Sequence, residues 1–184
     1  MHPQLEAIVD DFGRAETRLH RLVAALPSDH WNRRPDPARW SVAECVAHLN
    51  LTAAAYVPRL LDALERGRRS GESAPRRHRR DPIGWLLWRL SRPPVRQRVR
   101  TTPPFEPGAD LPREQVMAEF DRRQREQVAL VTEADGLPLG RLWIISPFDP
   151  RIRYNAYACL TILPSHQHRH LWQAEQVRAA LPAA

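Results

Sequence analysis

The chain has 184 residues, 42% of them hydrophobic, and a formal net charge of +7. That is long enough for one domain with a real core, short for two, and too apolar for a disordered chain. Its longest apolar runs, such as residues 53–55 and 156–163, exclude a transmembrane helix.

All 28 basic residues are arginine, so codon bias toward a GC-rich, bacterial genome accounts for part of the charge. Residues 66–100 hold twelve Arg against Glu72 and Asp81, while the remaining residues hold sixteen Arg and nineteen acids. The positive excess thus belongs to one segment. A nucleic-acid-binding protein spreads its cations, with aromatics between them, over a folded face; nucleic acid is therefore not the expected partner. The opening MHPQLEAIVDDFG carries acids where a signal peptide carries cations, so a cytoplasmic protein is expected. Cys45 and Cys159 sit singly in apolar surroundings and read as buried free thiols.

In chain order, residues 3–26 form an amphipathic helix, with Leu5, Ile8, Val9, Phe12, Leu19, Leu22 and Val23 at three- and four-residue steps. After a loop with two prolines and two tryptophans, Ser41 and Glu44 form a capping box that opens a second helix. Its apolar stripe runs from Val42 to Leu64, so the helix is expected to end near Glu65, with a kink at Pro58. The polar stretch RGRRSGESAPRRHRRDP has little to bury and is expected to be mobile. PIGWLLWRLS makes a short helix, and residues 93–110 are Pro-rich and extended. A third long helix runs from near Pro112 to about Glu133. Residues 141–150 are a short strand or a connector. The last helix runs from near Tyr154 to Ala180 and is expected to kink at Pro164 rather than restart at Ser165. Four long helices in a single domain over residues 1–184 predict an all-α antiparallel four-helix bundle. Residues 66–110 form an Arg- and Pro-rich insertion within it.

The segment SHQHRHLWQ, residues 165–173, carries three of the eight histidines. On a helix His166 and His170 project from nearly one face, while His168 points away by about 200°. A tight site needs a third ligand. His48, in mid-helix between Ala47 and Leu49, is the best candidate, since facing helices of a bundle can bring it to the pair. Three neutral imidazoles suit Zn²⁺, Ni²⁺ or Fe²⁺ and leave coordination positions open. Each ring then needs a partner for its second nitrogen; Glu44, one turn before His48, could serve it or simply cap the helix. Spacing alone leaves a second reading open: a core histidine, plus a cationic helix end that complements the dipole.

WNRRPDPARWSVAECVAHLN, in which Trp40 and Ser41 open the helix that carries His48, resembles the first motif of the DinB-like superfamily. LPSHQHRHLWQAEQVRAAL, with its H-x-x-x-H and Gln173, resembles the last. The resemblance implies a four-helix bundle with up-down-down-up-like connectivity and a long crossover between the second and third helices. It also implies a divalent metal held by His48, His166 and His170, and pairing of two copies into a homodimer. Two departures stand out: Pro164 just before the ligand pair, which could re-aim His166, and the arginine-rich insertion.

Characterised relatives imply two activities. Either the metal activates a low-molecular-weight thiol for transfer or isomerisation, or it activates water for hydrolysis of a small-molecule substrate. Mycothiol would be the thiol if the GC-rich bacterium is an actinomycete. The alternative is a non-catalytic module whose basic, Trp-containing insertion contacts an anionic membrane or nucleic acid. Against it stands a plainer account, in which Trp85 and Trp88 cap the bundle and the arginines are solvated. Trp40 reads as a packing residue at the helix start, and Tyr56 as a pocket or core residue.

Overall fold

The computed structural model describes residues 1–94 and 101–182. Residues 95–100, part of the stretch expected to be Pro-rich and extended, lie outside the described residues.

Helix α1 spans Pro3–Ala24 and buries Leu5, Ile8, Phe12, Leu19 and Leu22 of the expected stripe together with Ala15, while Val9 and Val23 at its margin are only partly buried. Helix α2 spans Val42–Ser70. Its capping box is formed: Ser41 Oγ accepts from the Glu44 backbone N–H, and the Glu44 carboxylate accepts from the Ser41 N–H. Such a cap stabilises a helix start by about 1 kcal/mol. The helix runs past Glu65 to Ser70 and stops at Gly71, whose φ of 67° is the left-handed conformation glycine tolerates. Short helix α3 spans Pro82–Leu90, α4 spans Arg113–Glu133 and α5 spans Ala156–Ala180. Between α4 and α5 lies a small antiparallel pair, β1 (Trp143–Ile145) and β2 (Arg153–Asn155), with Ile144 opposite Tyr154. The ambiguous 141–150 segment thus supplies a strand, and Asn155 caps α5 by accepting from the Ala158 N–H. Helix α5 continues through Pro164 without restarting at Ser165.

The protein is mostly helical, with five helices packed together. α1 packs on α4 and α5, and α2 packs on the same two, so α1 and α2 sit across the bundle from each other. One apolar cluster joins Leu5, Tyr56, Leu130 and Leu160; a second joins Leu19, Val46, Phe120 and Leu171. α3 lies on α5 and β2. Contact is so close that a Cβ at Gly84 would fall 2.3 Å from the Ala158 Cβ.

The polar stretch before α3, expected to be loose, is instead tied to the bundle. The Ala74 N–H donates to the Gly136 carbonyl (2.9 Å) and the His78 N–H to Gln4 Oε1 (2.8 Å). Arg80 Nε donates to Thr161 Oγ1 (2.7 Å). Two backbone N–H groups and one guanidinium supply the attachment. Cys45 and Cys159 are buried and free, and burial pushes both thiols up. Among the described residues, no helix is long and apolar enough to cross a membrane.

Candidate metal centre

α2 brings one ring and α5 two rings to a common point. The start of α2 is held from outside: Arg34 Nε donates to Glu44 Oε2 at 2.8 Å, and a second guanidinium nitrogen binds Glu44 Oε1. Burial would raise the Glu44 carboxyl, but Arg34 and Ser41 together hold it below the usual carboxylate range. Glu44 is therefore the helix cap, and it is not the partner of His48.

That partner is a backbone carbonyl. His48 Nδ1 lies 2.8 Å from the Phe105 oxygen. A carbonyl only accepts, so Nδ1 carries the proton and Nε2 is bare. The turn Pro103–Phe105, inside the Pro-rich segment after α3, places this carbonyl. Nothing in its sequence distinguishes it from neighbouring residues.

His166 and His170 fall one turn apart on α5, and their Nε2 atoms are 3.1 Å apart. Ring centroids are separated by 5.3 Å for His48–His166 and by 4.5 Å for both His48–His170 and His166–His170. One ligand nitrogen from each ring lies within 4.8 Å of the others, so the three could hold a metal ion. At a metal–nitrogen distance of about 2.1 Å, the 3.1 Å separation corresponds to an angle of about 95°, which open coordination shells accept. Without an ion, either one Nε2 donates to the other or two lone pairs face each other in the interior; a shared cation satisfies both. The donor set and its geometry fit a divalent ion.

The electrostatics favour neutral rings. Burial depresses the pKa of His48, partly opposed by its bond to Phe105. Burial, reinforced by the neighbouring rings, holds His166 and His170 well below the ordinary imidazole range. Neutral imidazole is the form that binds metal. Pro164, two residues before His166, does not prevent the pair from converging.

Aromatic residues enclose the cluster. Trp40 lies 5.0 Å from the His48 ring and is stacked at 27° over His170. It is a wall of the site as well as a residue at the helix start. Phe105 and Phe148 pack at 4.2 Å, and Phe148 faces His166 at 6.5 Å. His48 and His170 are buried, whereas His166 is half-buried, so solvent reaches the cluster on its side. Tyr56 forms a buried hydroxyl pair with Tyr154 and leans on Phe148. Phe148 was not singled out by spacing because it comes from the β1–β2 connection.

The other histidines lie elsewhere. His168 faces α1, where its Nε2 bonds Asp11 at 3.1 Å and its Nδ1 meets Arg18 at 3.3 Å. It is half-buried and fastens α5 to α1, on the side of α5 turned away from the ligand pair as its spacing predicts. A second group that could hold an ion joins Glu16 and His20 of α1 to Asp121 of α4. Its His20 Nε2–Asp121 Oδ1 contact of 2.9 Å is a half-exposed hydrogen bond.

The DinB superfamily matches this chain over residues 11–174, a span that contains all three clustered rings, and the chain belongs to that superfamily. No curated protein and no solved structure matches it significantly.

Proposed function

We propose that this DinB-superfamily chain is a single-domain, metal-dependent enzyme acting on a small molecule, with His48, His166 and His170 as the ligands of one divalent ion. The observation that carries the reading is the convergence of three imidazoles, two buried and one half-buried, with His48 fixed as the Nδ1–H tautomer by the Phe105 carbonyl. Zn²⁺, Ni²⁺ and Fe²⁺ all suit three nitrogens. When bound, such an ion supplies Lewis acidity, lowering the pKa of a thiol or a water beside it.

The chain's own residues do the rest. The Phe105 carbonyl orients His48 and keeps its Nε2 unprotonated. Trp40, Phe105 and Phe148 surround the rings with apolar surface, which limits water and strengthens electrostatic interactions inside. His166 marks the approach for a ligand. Among the described residues, no carboxylate bonds or pairs with the three rings, and Glu44 is held by Arg34 and Ser41. A hydrolase of this kind needs a base to move the proton of water. A thiol, whose ordinary pKa of about 8.5 lies far below the roughly 15.7 of water, gives its proton to solvent without such a base, and this favours transfer or isomerisation with a low-molecular-weight thiol such as mycothiol.

The test supplies Zn²⁺-loaded protein with mycothiol or glutathione and a small electrophile, and follows loss of free thiol. The expected result is metal-dependent thiol consumption that disappears in His48→Ala. Product release without any thiol requirement would assign hydrolysis instead, and inactivity of the chelated and loaded protein alike on both substrate classes would contradict an enzymatic role.

A further inference from the structure

The segment joining α2 to α4 carries a second candidate site, built from residues other than the three clustered rings. A cleft of about 300 Å³ is lined by Arg77, His78, Arg79, Arg80, Trp85 and Tyr157, with Gln4 at its edge. Three arginines and no acidic residue are among the residues that line it. Arg80 lies 4.0 Å over the Trp88 ring and 5.6 Å over that of Tyr157, which also lines the cleft. His78 is 2% exposed, and neither ring nitrogen has a hydrogen-bond partner. An unpartnered buried imidazole beside three cations is a polar arrangement left incomplete by the protein itself.

Beside the cleft, α3 turns two different faces outward and inward. Gly84, Leu87 and Trp88 face α5 and the core. Ile83, Trp85, Leu86 and Leu90 are 47–57% exposed, and Ile83, Leu86 and Leu90 recur at helical spacing along one side. Trp85 belongs to both the cleft and this face. Trp85 and Trp88 thus separate: Trp88 packs on the bundle and Trp85 does not. Arg76, Arg77, Arg79 and Arg89 are exposed and form no ion pair among the described residues. Arg66, Arg68 and Arg69, a little upstream, each pair with an acid.

We infer that the cleft and the outer face of α3 form a docking surface for an anionic lipid bilayer, with lipid phosphate at the Arg77–Arg79–Arg80 cleft and the α3 side chains in the interface. Charge complementarity selects this occupant: exposed aliphatic side chains flanked by unpaired arginines match a headgroup region above acyl chains. Nucleic acid would use the cations and Trp85, but it has no use for Ile83, Leu86 and Leu90. A second copy would bring two arginine-rich faces together.

The full chain is tested by flotation with phosphatidylcholine vesicles, with and without phosphatidylglycerol. Binding is expected only with phosphatidylglycerol, and it weakens as salt rises. Arg77→Gln together with Arg79→Gln lowers partitioning by roughly tenfold or more, and Leu86→Ser lowers it independently; all three positions are exposed, so folding is unaffected. Glycerol 3-phosphate in solution competes weakly. The inference is overturned if the chain ignores anionic vesicles or binds both kinds equally. It is also overturned if both variants bind like wild type, if free glycerol 3-phosphate or single-stranded DNA binds while vesicles do not, or if Leu86→Ser only dissociates a dimer.

Discussion

Replacing His48 by alanine separates the α2 ring from the α5 pair and has two effects that can be measured apart. In metal-free protein, the change leaves the buried Phe105 carbonyl without the donor now 2.8 Å away. An unsatisfied buried acceptor costs about 1–3 kcal/mol. For a chain of this size each kcal/mol moves the melting temperature by about 2–4 °C, so the apo variant melts about 2–12 °C lower. In the presence of metal, wild type gains about 2.7 kcal/mol at free ion one hundred times above Kd, a rise of about 5–11 °C. The variant keeps only two rings from one helical turn and loses that gain. Differential scanning calorimetry with and without Zn²⁺, on protein purified without a nickel column, reads both numbers. An equal metal-dependent rise in wild type and His48→Ala would refute the reasoning, because the ion would then be held without the α2 ring.

Acid should destabilise the metal-free protein early. The pKa values of His48, His166 and His170 are depressed by burial, so the unfolded chain takes up protons that the folded one refuses. Their contribution is complete above about pH 6.5 and is lost as pH falls from there toward the folded values, by up to about 1.4 kcal/mol per pH unit for each ring; urea melts at pH 7.5, 6.5 and 5.5 check this. Gly84→Ala forces a methyl to within 2.3 Å of Ala158 Cβ and should cost about 1–3 kcal/mol, read as a lower melting temperature. Gly13→Ala, in mid-α1 with nothing within 4 Å of the added Cβ, should instead stabilise by about 0.5–1 kcal/mol in the same assay.

What could be read in advance was whatever depends on local periodicity. The capping box at Ser41 and Glu44, the stripe of α1 and the one-turn spacing of His166 and His170 are each written within a few residues, and each is present in the fold. His48 could be singled out because an imidazole between Ala47 and Leu49 must be explained. What could not be read depends on distant chain segments meeting. The Phe105 carbonyl is a backbone atom and leaves no trace in side-chain chemistry. Phe148 reaches His166 only because β1 and β2 pair. His168, exposed on a helical wheel, gains Asp11 and Arg18 from α1. The arginine-rich stretch resembles a free loop in composition, yet Gln4 and Gly136 fix its backbone.

The most direct measurement is an anomalous difference map at the zinc edge from crystals grown with Zn²⁺. The account predicts one strong peak bounded by the His48, His166 and His170 rings. A map with density at Glu16–His20–Asp121 and none among those three rings would contradict it.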